Sequence, residues 1–373
     1  MSVMSQLPEF KKGVYNHIMI KEIHQQENTI SLELAGFIKD GTVDLSSLGI
    51  DDILLGAEKI YMIGCGTAYH AGLVGRTLIE KLAGIPVESD IASEFGYRHI
   101  PWRKNQLMVV ISQSGETSDT LVALREAKKH GVPVLAITNA RDCTMNREAD
   151  KFIVIKPGPE LAIASTKAYT SQLVVIYLLA LYLAAKKGTY DKAELKKIGQ
   201  ELMGIDAAIE KVFTQEEKIM NIAWRYRHIE DTFYLGRGLD AAVAMEGALK
   251  LKETSYIHSE AYATGELKHG PIAVVTPGMP VVALVTQEQV ADKSIANLQE
   301  IRKNGGEVIA ICTEKLVPLC REFEEVITIP DVNCDITPLL SVLPLQLFAY
   351  YMATIRGNDV DKPRGLTKSV QVE

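Results

Sequence analysis

Residues 124–138, LREAKKHGVPVLAIT, align without a gap to residues 298–312, LQEIRKNGGEVIAIC, at an offset of 174. Each copy reads as helix, turn and strand, with Gly131 and Gly305 where a helix commonly ends in a left-handed glycine. Ile63-Gly64-Cys65-Gly66 matches Leu235-Gly236-Arg237-Gly238 at an offset of 172, and the apolar runs Leu107–Ile111 and Pro280–Leu284 keep the same relation. Two copies of an alternating strand–helix unit predict an α/β chain of two domains related by internal duplication, each a mainly parallel sheet flanked by helices. The expected order is a helical lead-in over 1–49, a first domain over 50–190, a helical connector over 191–221, a second domain over 222–350 and a tail over 351–373. A chain of 373 residues is long enough for two such cores.

The copies differ at one loop. In the first, the unbroken apolar run Leu107–Ile111 reads as a buried parallel strand, and Leu121, Leu124, Ala127 and Lys128 recur beyond it at helical spacing. Between them, Ser112-Gln113-Ser114-Gly115-Glu116-Thr117 joins a strand end to a helix start, where free N–H groups and the positive end of the helix dipole favour an anion. Ser112, Ser114, Thr117 and the Gln113 amide add donors, and Gly115 permits close approach of the backbone. The pattern suits one phosphate monoester. An ordinary serine-rich cap, with Thr117 or Ser118 as N-cap, is the plainer alternative. No lysine follows the glycine, so the loop is not the nucleoside-triphosphate type. The second copy has Val285-Thr286-Gln287-Glu288 there, without glycine and with a carboxylate that would repel phosphate.

The glycine pairs at 64/66 and 236/238 lack the third glycine of a dinucleotide fingerprint, since Tyr69 and Ala241 occupy that place. No nicotinamide, flavin or other cofactor is expected. The first pair instead suits a tight turn over a sugar, with Cys65, Gly66, Thr67 and Ala68 lining it. On the predicted helix over 241–254, Glu246, Lys250 and Glu253 share one face, either as a solvated ion-pair ladder or as chemistry. His269 lies in the glycine-bounded loop Thr264–Pro271 and titrates in a useful range, although a lone loop histidine is commonly just a surface residue. His258 and Glu260 form an H-x-E, but no C-x-x-C accompanies it, so no zinc site or other metal is expected.

Bulk properties exclude several classes. A net charge of −7 with no Lys/Arg-rich run argues against nucleic acid. Five scattered cysteines, at 65, 143, 312, 320 and 334, indicate a reducing compartment, the cytoplasm, rather than disulfides. Residues 1–12 lack the apolar stretch of a signal peptide. The longest apolar run, 173–185, is too short to cross a bilayer, which needs about 20 residues, so it reads as a core helix and no membrane partner is expected.

Cys65-Gly66-Thr67, Ser112 to Thr117, Ala164-Ser165-Thr166-Lys167, Leu249 to Tyr256, Gly265 to Gly270 and the closing DKPRGLTKSVQVE together resemble the isomerase half of the glutamine–fructose-6-phosphate amidotransferase family, the glucosamine-6-phosphate synthases. The resemblance runs from about residue 13 to residue 373. It implies two sugar isomerase (SIS) domains. It further implies that Ser112, Gln113, Ser114 and Thr117 hold the phosphate of fructose 6-phosphate, and that Thr67, Ala164 and Ser165 meet the sugar. Lys368 would form a Schiff base with the open-chain ketone, a role suited to a desolvated amine of lowered pKa. Glu253 would move the proton between C1 and C2, with Lys250 beside it, and His269 would assist ring opening from the neighbouring subunit of a homodimer. Position 68 is Ala where many members have Ser. Full-length members begin with a glutaminase domain bearing an N-terminal cysteine, whereas the first cysteine here is Cys65. No glutamine hydrolysis is therefore expected, and nitrogen would come from a separate glutaminase domain or subunit, or as free ammonia. An SIS-type amino-sugar-phosphate deglycase or deaminase, and a non-catalytic phosphosugar sensor, are the competing readings.

Overall fold

The computed structural model describes residues 15–368; residues 1–14 of the expected lead-in and residues 369–373 of the expected tail lie outside the described residues. The first sheet contains β1 (Lys59–Gly64), β2 (Val87–Ile91), β3 (Gln106–Ser112), β4 (Val134–Thr138) and β5 (Lys151–Val154), in the order β2-β1-β3-β4-β5. The second contains β6 (Asp231–Gly236), β7 (His258–Ala263), β8 (Pro280–Val285), β9 (Glu307–Thr313) and β10 (Glu325–Ile329), in the order β7-β6-β8-β9-β10. All pairings in both sheets are parallel, and the two sheets share one strand order. The duplication seen in the sequence is thus a duplication of topology.

Parallel sheets need helices on both faces, and the strands show it. Ile60 and Met62 of β1 face one apolar cluster while Tyr61 and Ile63 face another. The longer helices are α1 (Ile18–His24) and α2 (Gln26–Ala35) in the lead-in, then α3 (Thr67–Ala83), α4 (Ser118–Lys129) and α5 (Lys167–Lys187). A connector of α6 (Lys192–Met203), α7 (Ile205–Phe213) and α8 (Glu216–Arg225) follows. The second unit adds α9 (Leu239–Ser255), α10 (Ala291–Lys303) and α11 (Pro338–Ile355), the last running beyond the boundary expected at residue 350. Side chains of α3, α5, α9 and α11 belong to one continuous core between the two sheets.

The sequence argument that the apolar run at 173–185 is too short for a bilayer does not hold as stated. It belongs to the 21-residue α5, and both α5 and α11 are long and apolar enough to cross a membrane. Their surroundings decide the matter: 94% of the α5 window and 83% of the α11 window are buried inside the protein. They are core helices because each is wrapped on all sides by its own fold.

The segment after α11 folds back. The Asp361 carboxylate accepts the Ile18 and Met19 N–H groups at the start of α1, and its carbonyl accepts the Ile163 N–H. The Arg364 N–H donates to the Tyr256 hydroxyl, and its guanidinium lies over the Tyr256 ring. These contacts deliver residue 368 to the first sheet.

Candidate active site

With strand order 2-1-3-4-5, the chain leaves β1 and β3 in opposite directions, and the gap beyond their carboxyl ends is where such sheets bind ligands. A cavity of about 300 Å³ lies there, lined by Cys65, Gly66, Thr67 and Ala68 after β1 and by Ser112, Gln113, Ser114 and Thr117 after β3. The β1 turn is tight for steric reasons. A Cβ at Gly64 would lie 2.9 Å from the Ala68 backbone, and Gly66 has φ +53°. In the β3 loop, the Ser112 and Thr117 hydroxyls meet at 2.9 Å, and the Gly115 N–H donates to Ser112 Oγ at 3.1 Å. Gly115 has φ +67°, and a Cβ there would strike Cys143 Sγ at 2.3 Å. The Glu116 carboxylate accepts the Thr144 N–H, which ties it to the next loop. Thr117 is the N-cap residue of α4 but its side chain makes no capping bond. Its hydroxyl is engaged with Ser112 instead.

The far wall comes from α9, the segment before α5, α5 itself and the returning tail: Leu249, Glu253, Ile163, Ser165, Gln172, Leu366, Thr367 and Lys368. Ala164 does not line the cavity. It is fully buried, while its neighbours Ile163 and Ser165 face inward, since adjacent side chains of this irregular segment point to different sides.

Glu246, Lys250 and Glu253 are not a solvated ladder. Glu246 and Lys250 are fully buried where α9 packs on α3. Lys250 Nζ lies 2.5 Å from Glu253 Oε2 and 3.4 Å from Glu246 Oε1, and donates to the Thr67 hydroxyl at 3.1 Å. That hydroxyl donates on to Glu246, whose other oxygen meets His70 Nδ1 at 2.7 Å. Burial alone would pull the Lys250 ammonium down, but Glu246 and then Glu253 outweigh it and hold it well above the usual lysine range. Lys250 thus stands behind the wall, and only Glu253 of the three lines the cavity.

Lys368 lines the cavity as an ion-pair partner, not as a desolvated free amine. Its side chain is 25% exposed, and Nζ donates to Glu160 Oε2 at 2.6 Å and to the Ala162 carbonyl at 2.7 Å. Glu160 also accepts the Ser165 hydroxyl and the Thr166 and Ala168 N–H groups, which places a carboxylate on the N-terminus of α5. Burial would raise this carboxyl, but the Lys368 charge and hydrogen bond and the two N–H groups hold it below the usual carboxylate range. Pattern reading passed over Glu160 and Gln172. Neither carried a local signal, since Glu160 satisfies the Thr166 and Ala168 N–H groups from outside the usual capping positions. His269 lies exposed in the short turn Glu266–His269, outside its own chain's cavity.

Residues 53–182 and 226–356 each match the family described as SIS domain. The chain belongs to the SIS domain family. Its two SIS units are the two sheets with their helices. This SIS chain is 50% identical over 369 residues to a Clostridium tetani protein named glutamine--fructose-6-phosphate aminotransferase [isomerizing], covering 97% of this chain and 60% of that protein. A Thermus thermophilus protein of the same name is 43% identical over 365 residues, with the same coverages of 97% and 60%. The chain thus spans about 60% of the length of these curated relatives. It superposes with a TM-score of 0.90, at 38% identity, on the C-terminal domain of glucosamine-fructose-6-phosphate aminotransferase from Francisella tularensis, covering 94% of this chain and 100% of that one.

Proposed function

We propose that this SIS pair converts fructose 6-phosphate from a 2-ketose to a 2-aldose skeleton, giving glucosamine 6-phosphate with ammonia or glucose 6-phosphate without it. The observation that carries the reading is the convergence of three groups on one cavity: a hydroxyl-lined loop at a helix start, the Glu253 carboxylate and the Lys368 amine. The relatives' names and their 97% coverage of this chain support the same substrate.

In this reading the phosphate sits on Ser112, Gln113, Ser114 and Thr117, and Thr67 and Ser165 meet the sugar. The Lys368 ammonium sheds one proton before its nitrogen attacks the C2 carbonyl, and Glu160, in contact at 2.6 Å, is the acceptor at hand. Water then leaves to give an imine at C2. Ammonia adds there and expels the Lys368 amine, leaving the ammonia-derived imine; without ammonia, water hydrolyses the lysine imine back to the ketone. In either case the C2 double bond acidifies the C1 hydrogens. Glu253 takes a proton from C1 and returns it to C2, a transfer that typically contributes ~10²–10⁴-fold. Lys250, bound to Glu253, positions that carboxylate; it is a positioning residue because it does not reach the cavity. His269 of the partner subunit assists ring opening, so the active species is a homodimer, and a glutaminase domain or subunit is the nitrogen donor's natural companion. The five free cysteines fit the cytoplasm.

The test is conversion of fructose 6-phosphate with and without ammonium. Turnover is expected in the native chain and lost by about a hundredfold or more in Lys368→Ala and in Glu253→Gln. Full turnover in both variants overturns the mechanism. Saturable binding without turnover in the native chain identifies a sensor, and turnover confined to another amino-sugar phosphate identifies a deglycase.

A further inference from the structure

Two polar side chains that line the cavity are almost wholly buried, and they differ in one respect. Ser112, 3% exposed, is paired with Thr117 and with the Gly115 N–H. Gln172, 1% exposed, has an amide oxygen with no hydrogen-bond partner. It sits on the second turn of α5, where Ala168, Leu173, Val174 and Val175 around it are buried apolar residues. An apolar side chain there would satisfy the fold at lower cost, because a buried amide without a partner is destabilising. Gln172 nevertheless lines the same cavity as the serine loop, Glu253 and Lys368.

We infer that Gln172 reads the sugar: its amide oxygen accepts a hydrogen bond from a hydroxyl of the bound phosphosugar. The inference rests on the proposed function, and it assigns specificity to a residue outside the phosphate loop and the Lys368–Glu160 pair. Gln172 presents an acceptor that a hydroxyl satisfies and that a deoxy compound or a bare phosphate leaves unpaired. Sites of this kind discriminate strongly, since the wrong ligand strands a buried polar group.

The experiment compares Gln172→Leu and Gln172→Met with the native chain, using fructose 6-phosphate as substrate and inorganic phosphate as competitive probe of the serine loop alone. The expected result is a KM raised about three- to tenfold for one hydrogen bond, inhibition by inorganic phosphate unchanged, and a thermal midpoint equal or higher. Two variants of different shape guard against a packing artefact. An unchanged KM in both folded variants overturns the inference, showing that water satisfies the amide. Parallel weakening of sugar and phosphate also overturns it, showing a role in the shape of the site. If the native chain binds phosphate but neither binds nor converts fructose 6-phosphate, the functional reading itself has failed, an outcome distinct from the other two.

Discussion

Lys368 lies 2.6 Å from a carboxylate that is itself fully buried, so removing it has two separable effects. Lys368→Ala removes the proposed nucleophile and also strands the Glu160 charge. The second effect should lower stability by about 2–4 kcal/mol, within or just below the range for breaking buried pairs because Lys368 is partly exposed. In Lys368→Ala/Glu160→Gln the stranded charge is gone, and a glutamine oxygen can still accept the Thr166 and Ala168 N–H groups. Urea unfolding should find most of the stability restored while turnover stays absent. A double variant as unstable as the single one would show that Glu160 is not the cause. At this scale the sequence was informative about residue type and poor about direction. That Ser112–Thr117 lines a cavity could be read because it joins the carboxyl end of a buried strand to a helix start. Ala164 and Ile163 could not be told apart, because which neighbour faces a cavity depends on the local path of the backbone.

At the scale of the element, the two units use the same turn differently. Asp240 stands in α9 where Ala68 stands in α3, and Thr286 stands where Ser112 stands, at the offsets of 172 and 174 found in the sequence. Asp240 is 2% exposed, and its carboxylate accepts both the Thr286 N–H, at 2.8 Å, and the Thr286 hydroxyl. Donors that face the cavity in the first unit are thus spent on the chain's own carboxylate in the second. Glu288, whose carboxylate the sequence offered as repelling an anion, is ion-paired with Lys315. Asp240→Ala leaves the Thr286 groups without their partner and should lower stability by about 1–3 kcal/mol. Chemical unfolding measures that loss. The affinity for fructose 6-phosphate should stay as in the native chain, and a matching fall in affinity would show that the two units are coupled.

Across the whole molecule, the ends of the chain secure the site. Glu22 of α1 is 2% exposed and accepts the Leu161 N–H at 2.6 Å, beside the segment that carries Ile163 and Ser165. Burial, with Glu160 nearby, pushes its carboxyl up from 4.5 to about 7. Burial likewise pushes Glu33 to about 7 and Asp240 to about 6. Each folded-state value lies above its unfolded one, so the native state holds these protons more tightly. Their contribution to stability therefore falls as pH rises from about 4.5 towards about 7. Glu22→Gln should remove part of that slope, raising stability at pH 7 relative to pH 5 by at most about 3 kcal/mol. Denaturant titrations at the two pH values check it, and an unaltered slope refutes it.

The duplication, the parallel α/β class and the place of the hydroxyl-lined loop between a buried strand and a helix all followed from the order of residues along the chain. Such features are local: a buried strand, a glycine turn and a helix start lie within about a dozen residues, and propensity and period decide them. Tertiary structure alone decided that Glu246 and Lys250 are buried rather than solvated, and that a 21-residue apolar helix is core. It also decided that residues as distant as Glu160 and Lys368 form a pair. Burial and long-range pairing depend on what the rest of the chain places opposite a side chain, and spacing within one element carries no record of that.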